Sequence, residues 1–82
     1  MYYVYLLRDI KNKIYIGFTS NLRRRIREHQ LGKVFTTRKM DKPQLIYYEA
    51  YSTKLLAIER EGQLKRFGSA YYGLIKRLGI EV

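Results

Sequence analysis

The chain has 82 residues, of which 17 are Lys or Arg and 7 are Asp or Glu, so its formal net charge at pH 7 is +10. This length suits one small domain, and we assign residues 1–82 to a single domain. The lack of cysteine excludes disulfides and thiolate metal sites, and no apolar run approaches the ~20 residues of a membrane span. We expect a cytoplasmic protein that binds a polyanion, with nucleic acid preferred over an anionic membrane surface.

Two apolar and aromatic runs near the amino terminus, residues 3–7 and 14–18, predict a β-hairpin. The polar segment between them contains Asn12, which suits a turn. Alternate strand residues share a face, so Tyr15 and Gly17 lie together. If Tyr5 lies on that same face, two phenols stand beside a glycine that leaves room for another group to approach.

Residues 19–21 offer capping oxygens for a helix over residues 22–31, which Gly32 ends. At about 100° per residue, four side chains of this helix fall within one narrow arc. An arginine on this packed side needs an anion or hydrogen bonds, and the simplest partner is one of the few carboxylates of the chain. The four residues are Leu22, Arg25, Ile26 and His29.

The remaining arginines of this helix, Arg23, Arg24 and Arg27, lie on its exposed side with Glu28. They either contact phosphates or form a solvated basic face. Residues 33–44 form a connection without a clear period, and loops of this length are uncommon unless functional. We predict a mobile loop that contacts phosphates, and its basic residues are Lys33, Arg38, Lys39 and Lys42.

The remaining elements are a third strand over residues 45–51, a helix to about residue 67 that Ser52 and Thr53 can cap, and a last helix over residues 70–78 that Ser69 caps. The fold class is therefore α+β, with about three helices. Glu61 clusters with Ala57 and Leu64 and leans towards the core.

This buried strip of the second helix is flanked by Leu56, Ile58 and Phe67. Glu59 lies on the opposite side of the helix. Arg60 lies near the apolar arc. Gly62 suggests close packing, because glycine within a helix costs about 1 kcal/mol relative to alanine.

The polar groups predicted to point inward suit phosphodiester hydrolysis. They are the phenols of Tyr5 and Tyr15, together with Arg25, His29 and Glu61. Arg25 and a divalent ion on Glu61 would neutralise the charge of the transition state, while a phenol or His29 would move protons. One carboxylate plus waters favours Mg²⁺ or Mn²⁺ over zinc.

These residues also carry a resemblance to a known family. Tyr-Val-Tyr at residues 3–5 and Tyr-Ile-Gly at residues 15–17 resemble the two signature triplets of the GIY-YIG nuclease family. Residues 21–29 resemble its first-helix motif, and residues 57–65 resemble its second-helix motif. The resemblance covers residues 2–67 and is greatest to small stand-alone bacterial members, which are similar to the amino-terminal nuclease domain of the excinuclease C subunit.

The resemblance implies a three-stranded antiparallel sheet flanked by helices, one divalent ion, no small-molecule cofactor, and hydrolysis of DNA in repair or recombination. The candidate substrates are branched, damaged or single-stranded DNA, with RNA less expected. Tyr5 would be the general base or a base relay, and Tyr15 would lie near the nucleophile. Arg25 would hold the scissile phosphate and Glu61 the metal. Lys65, in the second-helix motif, is a further candidate contact to nucleic acid.

Two features depart from the family pattern. The first triplet lacks the usual Gly-Ile, and no asparagine follows Asn21, although some members carry one after the glutamate helix. Two alternatives therefore stay open: a basic nucleic-acid-binding module of the same fold that does not cut, and an RNA- or ribosome-associated basic protein. Whether Tyr5 or His29 is the base, the oligomeric state and the preferred substrate are left open by these patterns.

Overall fold

A computed structural model of the chain describes residues 1–80. It confirms the α+β fold, with three strands in one sheet and three helices in this part of the chain. Within these residues no helix is long and apolar enough to cross a membrane. The elements are β1 (Tyr2–Arg8), β2 (Ile14–Thr19), α1 (Leu22–Gln30), β3 (Gln44–Tyr51), α2 (Lys54–Arg66) and α3 (Gly68–Arg77).

The sheet has the order β2-β1-β3, and β1 pairs antiparallel with both neighbours. In the hairpin, Tyr5 lies opposite Gly17 and Leu7 lies opposite Tyr15. Residues directly opposite in an antiparallel pair point to the same side. Tyr5, Gly17 and Tyr15 therefore share one face of the sheet, which confirms the predicted arrangement.

The two faces of the sheet have different covers. The helices α2 and α3 pack on the face of Val4 and Leu6, whereas α1 and the loop that follows it cover the face of Tyr5. The predicted flanking residues Leu56, Ile58 and Phe67 are 46, 43 and 57% exposed, because α2 meets the sheet through a narrow strip only. The core comprises Val4, Leu6, Ala57, Leu64, Leu74 and Ile75.

Helix ends follow the predicted capping residues in two of three cases. The side chains of Asn21 and Thr53 accept hydrogen bonds from the first turns of α1 and α2, and Gly32 follows α1 with a φ of 72°. The predicted cap at Ser69 is wrong, since α3 begins at Gly68 without a side-chain cap. Close packing does not explain Gly62, because an added Cβ there would meet no atom within 4 Å.

The loop between α1 and β3 is packed against the domain, which differs from the predicted mobile segment. Val34, Thr37 and Pro43 are buried. At its far end, the Asp9 carboxylate accepts a hydrogen bond from the backbone N–H of Asp41 at 3.1 Å. The basic side chains of the loop remain exposed, and they are Lys33, Arg38, Lys39 and Lys42.

Asp9 connects this loop to the hairpin turn. Its carboxylate also accepts hydrogen bonds from the N–H groups of Lys11 and Lys13, at 3.0 and 2.8 Å. Burial by itself raises the pKa of Asp9, but the backbone N–H groups of Lys13, Asp41 and Lys11 outweigh it and lower that pKa. A charged Asp9 therefore holds the two segments together.

A second carboxylate, Glu49 on β3, pairs with Arg60 of α2. Arg60 donates two hydrogen bonds to it at 2.9 and 3.0 Å, and the hydroxyls of Tyr47 and Tyr51 donate at 2.5 and 2.6 Å. This pairing explains why Arg60 lies near the apolar arc of α2. The side chain of Glu49 is only 14% exposed, so the pair links α2 to the edge of the sheet.

Replacement of Glu49 by Gln should lower the free energy of unfolding at pH 7 by about 2 kcal/mol, because Arg60 loses its partner in a mostly buried position. Burial raises the pKa of Glu49, but Arg60 and the two tyrosine hydroxyls lower it further than burial raises it. The contribution of charged Glu49 to the free energy of unfolding is thus complete above the ordinary carboxylate pKa. It is lost as pH falls through the lowered pKa of Glu49. Urea unfolding at pH 7 and at pH 3 should show the difference between wild type and variant shrink in acid. Glu59→Gln, at an exposed site of α2, should behave like wild type at both pH values.

Candidate active site

Tyr5 lies at the centre of the sheet and fills the space above Gly17. Its side chain is fully buried. A Cβ added to Gly17 would overlap Cζ and Oη of Tyr5 and lie 2.9 Å from Cε2 of Tyr15. The room that Gly17 leaves is therefore occupied by the Tyr5 phenol and is not open to a ligand.

The phenol of Tyr5 belongs to a buried chain of hydrogen bonds. Its Oη lies 2.6 Å from Nε2 of His29, and Nδ1 of His29 lies 2.6 Å from Oγ1 of Thr37. His29 is 2% exposed and Thr37 is 1% exposed. His29 thus lies on the packed side of α1, as predicted, whereas no periodic pattern in the loop singles out Thr37.

Tyr15 packs against Tyr5 and His29 from the side of β2. Its ring centroid is 6.2 Å from that of Tyr5 and 5.2 Å from that of His29. Unlike Tyr5, it is only partly buried. Tyr15 is therefore the phenol of the pair that solvent and a ligand can reach.

Arg25 lies on the same side of α1 as His29 and is partly exposed. Its Nη1 donates a hydrogen bond to Oε1 of Glu28 at 3.2 Å, so the ion pair considered from the sequence is present. Glu28, predicted to be exposed, is partly buried beside it. The guanidinium also interacts with Tyr5 closely enough to lower the pKa of the phenol. The side chain is 38% exposed, which leaves N–H groups for an anion.

The surroundings of Tyr5 and His29 set the protonation states of these two buried side chains. Burial, the neighbouring Tyr15 and the negative charge of Glu61 raise the pKa of Tyr5 to about 12, against the lowering effect of Arg25. Burial and the positive charge of Arg25 lower the pKa of His29, against the raising effect of Glu28. At neutral pH the phenol is therefore protonated and the imidazole is uncharged.

These properties bear on the predicted role of Tyr5 as general base or base relay, which stays a prediction. A fully buried Tyr5 does not touch the attacking water in this conformation, and with a pKa near 12 its phenol keeps its proton at neutral pH. Tyr5 and His29 lie beneath the accessible surface, whereas Tyr15 and Arg25 reach it. A direct contact between Tyr5 and the nucleophile does not fit this geometry.

Glu61, on α2, is a second carboxylate within electrostatic reach of this cluster besides Glu28, since its charge acts on the Tyr5 phenol. Its side chain is 23% exposed and forms an ion pair with Lys65 at 3.4 Å, in which Lys65 is 49% exposed. Such a pair is weak and easily displaced. Within residues 1–80 no group of three His, Asp or Glu residues converges on one point. One accessible carboxylate suits an ion that keeps most of its waters, as Mg²⁺ does.

A groove of about 660 Å³ runs between α1 and β3, and none of Tyr5, Tyr15, Arg25, His29 and Glu61 lines it. Of the predicted nucleic-acid contacts, Arg23 and Arg27 line it, together with Tyr3 and Tyr48, whose rings meet edge to face at 6.1 Å. Three further polar side chains, Ser20, Asn21 and Gln30, complete the polar part of its lining. Arg24, Lys33 and Arg38 are exposed but lie outside this groove, and the guanidinium of Arg38 stacks on Phe35 instead.

Comparisons with known proteins identify the family of the chain. Residues 1–72 match the GIY-YIG catalytic domain. The chain therefore belongs to the GIY-YIG family of nucleases, and the predicted family resemblance is confirmed.

Within this family, the chain is similar to small proteins named UPF0213. It is 37% identical over 67 residues to one from Staphylococcus haemolyticus, which covers 80% of the chain and 82% of that protein. It is 35% identical over 83 residues to one from Pediococcus pentosaceus, covering 99% and 87%. A solution NMR structure of a UPF0213 protein from Bacillus halodurans matches with a TM-score of 0.59 and 29% identity, covering 95% of this chain and 85% of that one. These names state no substrate.

Proposed function

We propose that this protein is a divalent-metal-dependent endonuclease that hydrolyses phosphodiester bonds of DNA. The observation that carries the proposal is the meeting of Tyr15, Arg25 and the charge of Glu61 around the buried pair of Tyr5 and His29. Hydrolysis of a phosphodiester needs positive charge at the phosphate and groups that orient water and move protons. Each of these requirements has a residue within this cluster.

Arg25 is the residue that holds the scissile phosphate. Glu28 accepts a hydrogen bond from one of its N–H groups, while the exposed part of the guanidinium is free to donate to phosphate oxygens. Tyr15 lies at the accessible side of the cluster, where its hydroxyl contacts the attacking water. Tyr5 and His29 act from beneath by keeping these two groups in place.

Glu61 would hold the divalent ion, Mg²⁺ or Mn²⁺, once the weak ion pair with Lys65 opens. The bound ion supplies positive charge to the phosphate oxygens. Lys65, released from Glu61, then lies close to the substrate as a further cation.

The groove between α1 and β3 offers a further surface for the nucleic acid, apart from the cluster itself. Arg23 and Arg27 meet the phosphates, and the net charge of +10 adds long-range attraction. Arg24, Lys33 and Arg38 extend the positive surface beyond the groove. Binding should therefore weaken steeply as salt rises, whatever the DNA sequence.

The purified protein should cleave end-labelled DNA in the presence of Mg²⁺ or Mn²⁺ and should not do so in excess EDTA. Branched, single-stranded and duplex DNA and a matched RNA in the same gel would show the substrate preference. Salt-sensitive binding without product in any metal would instead identify a non-catalytic module of the same fold. Stronger binding to RNA than to DNA would favour the RNA-associated alternative.

A further inference from the structure

Thr37 is a buried hydroxyl in a loop whose neighbouring residues are exposed. Thr36 and Arg38 both face solvent, while Thr37 is 1% exposed and its Oγ1 lies 2.6 Å from Nδ1 of His29. Two turns within the loop hold it there, since its N–H donates to the carbonyl of Val34 and its carbonyl accepts from the N–H of Met40. The loop therefore places the Thr37 hydroxyl beside Nδ1 of the His29 imidazole.

The direction of the hydrogen bonds between Thr37, His29 and Tyr5 follows from the surroundings of Tyr5. Arg25 lies one helical turn before His29 on the packed side of α1, and its positive charge acts on the Tyr5 phenol. A guanidinium has only donors to offer, so the phenol oxygen serves it as an acceptor. The hydroxyl proton of Tyr5 then points to Nε2 of His29, 2.6 Å away. An uncharged imidazole that accepts at Nε2 carries its proton on Nδ1, and this proton faces Oγ1 of Thr37.

We infer that Thr37 is a positioning residue: by accepting from Nδ1–H it holds His29 in the tautomer that accepts the Tyr5 hydroxyl and keeps the phenol oxygen turned to Arg25. The catalytic consequence rests on the proposed function, in which Arg25 binds the scissile phosphate. The tautomer itself does not depend on that function. Thr37 touches neither substrate nor metal.

Loss of the Thr37 hydroxyl would disturb Arg25 by way of His29 and Tyr5. Without an acceptor at Nδ1, the buried imidazole is free to carry its proton on Nε2 instead. This proton would then donate to the phenol oxygen, and the Tyr5 hydroxyl would have to turn its own proton towards Arg25. Two donors would face each other, so the guanidinium would shift from its position.

The tautomer can be measured directly, because His29 is the one histidine of the 82-residue chain. In protein labelled with ¹⁵N-histidine, at a pH where the ring is uncharged, long-range ¹H–¹⁵N spectra should show a protonated Nδ1 and an unprotonated Nε2. Thr37→Val should produce a mixture of both tautomers, whereas Thr37→Ser should keep the wild-type spectrum. A protonated Nε2 in the wild type would overturn the inference, even if the Val variant fails to fold.

Cleavage assays add the functional test. Thr37→Val should cleave about tenfold more slowly than wild type, because small displacements of a group that binds the reacting phosphate are costly. Thr37→Ser should recover most of the rate, and Thr36→Val, the same change at the exposed neighbour, should have no effect. An unchanged rate in a folded Thr37→Val protein would overturn the positioning role. Wild-type protein with the expected tautomer but no nuclease activity would instead refute the proposed function alone.

Discussion

Replacement of Glu61 by Gln should reduce DNA cleavage by about 10³-fold while the protein still binds DNA. The glutamine keeps the shape of the side chain but removes the charge that would hold the divalent ion, and the charge stabilisation that such an ion supplies is worth several kcal/mol. The fold should survive, because Glu61 is partly exposed and its ion pair with Lys65 is weak. Cleavage rates in Mg²⁺, together with DNA affinity at fixed salt, measure both effects.

The same helix offers a matched control. Glu59, two residues earlier, is exposed, so Glu59→Gln makes the same chemical change at a site away from the cluster. It should cleave like wild type. If Glu61→Gln retained wild-type activity, Glu61 would not be the metal ligand, and a contaminating nuclease would have to be excluded first. Equal losses in both variants would point to a general effect of charge on DNA binding.

A single methyl group at Gly17 should disrupt the candidate site from within. The Cβ of alanine would overlap the Tyr5 ring and press on Tyr15. Tyr5 cannot move aside easily, because it is fully buried and its hydroxyl is bonded to His29 at 2.6 Å. We expect Gly17→Ala to lower the free energy of unfolding by about 1–3 kcal/mol, as other overpacked cores do. Cleavage should fall by about 10²-fold through misplacement of the cluster.

A double-mutant cycle shows whether the clash is with Tyr5. In a Tyr5→Leu background the two closest atoms, Cζ and Oη of Tyr5, are absent and Cε2 of Tyr15 remains. Gly17→Ala should therefore cost less stability there than in wild type. Urea unfolding of the four proteins gives this difference. Gly62→Ala, where an added Cβ meets nothing within 4 Å, serves as the control and should retain both stability and cleavage. Normal cleavage by Gly17→Ala would contradict the placement of Tyr5.

Features set by short-range patterns could be predicted from the sequence. The alternation of the second strand placed Tyr15 and Gly17 on one face, and the strand register shows that Tyr5 shares it. The helical arc of α1 placed His29 on the packed side, and residues 19–21 were predicted to cap the helix, of which Asn21 does so. In these cases the neighbours along the chain determine the conformation, so that composition and period are sufficient.

The remaining features depend on contacts between distant parts of the chain. The burial of Tyr5 arises from α1 and the loop covering that face of the sheet, and the position of Thr37 arises from the packing of an aperiodic loop. Flanking apolar residues of α2 stay exposed because only a narrow strip meets the sheet. The spacing of Arg25 and Glu28, three residues apart on one helix, was the one available signal for their ion pair.

A structure determined with Mn²⁺ bound tests the proposed catalytic centre most directly. Crystals grown with Mn²⁺ at a concentration that supports cleavage should show an anomalous peak at the carboxylate of Glu61, and the peak should be absent in Glu61→Gln. A peak at another carboxylate, such as Asp9 or Glu49, with none at Glu61, would contradict the proposed mechanism.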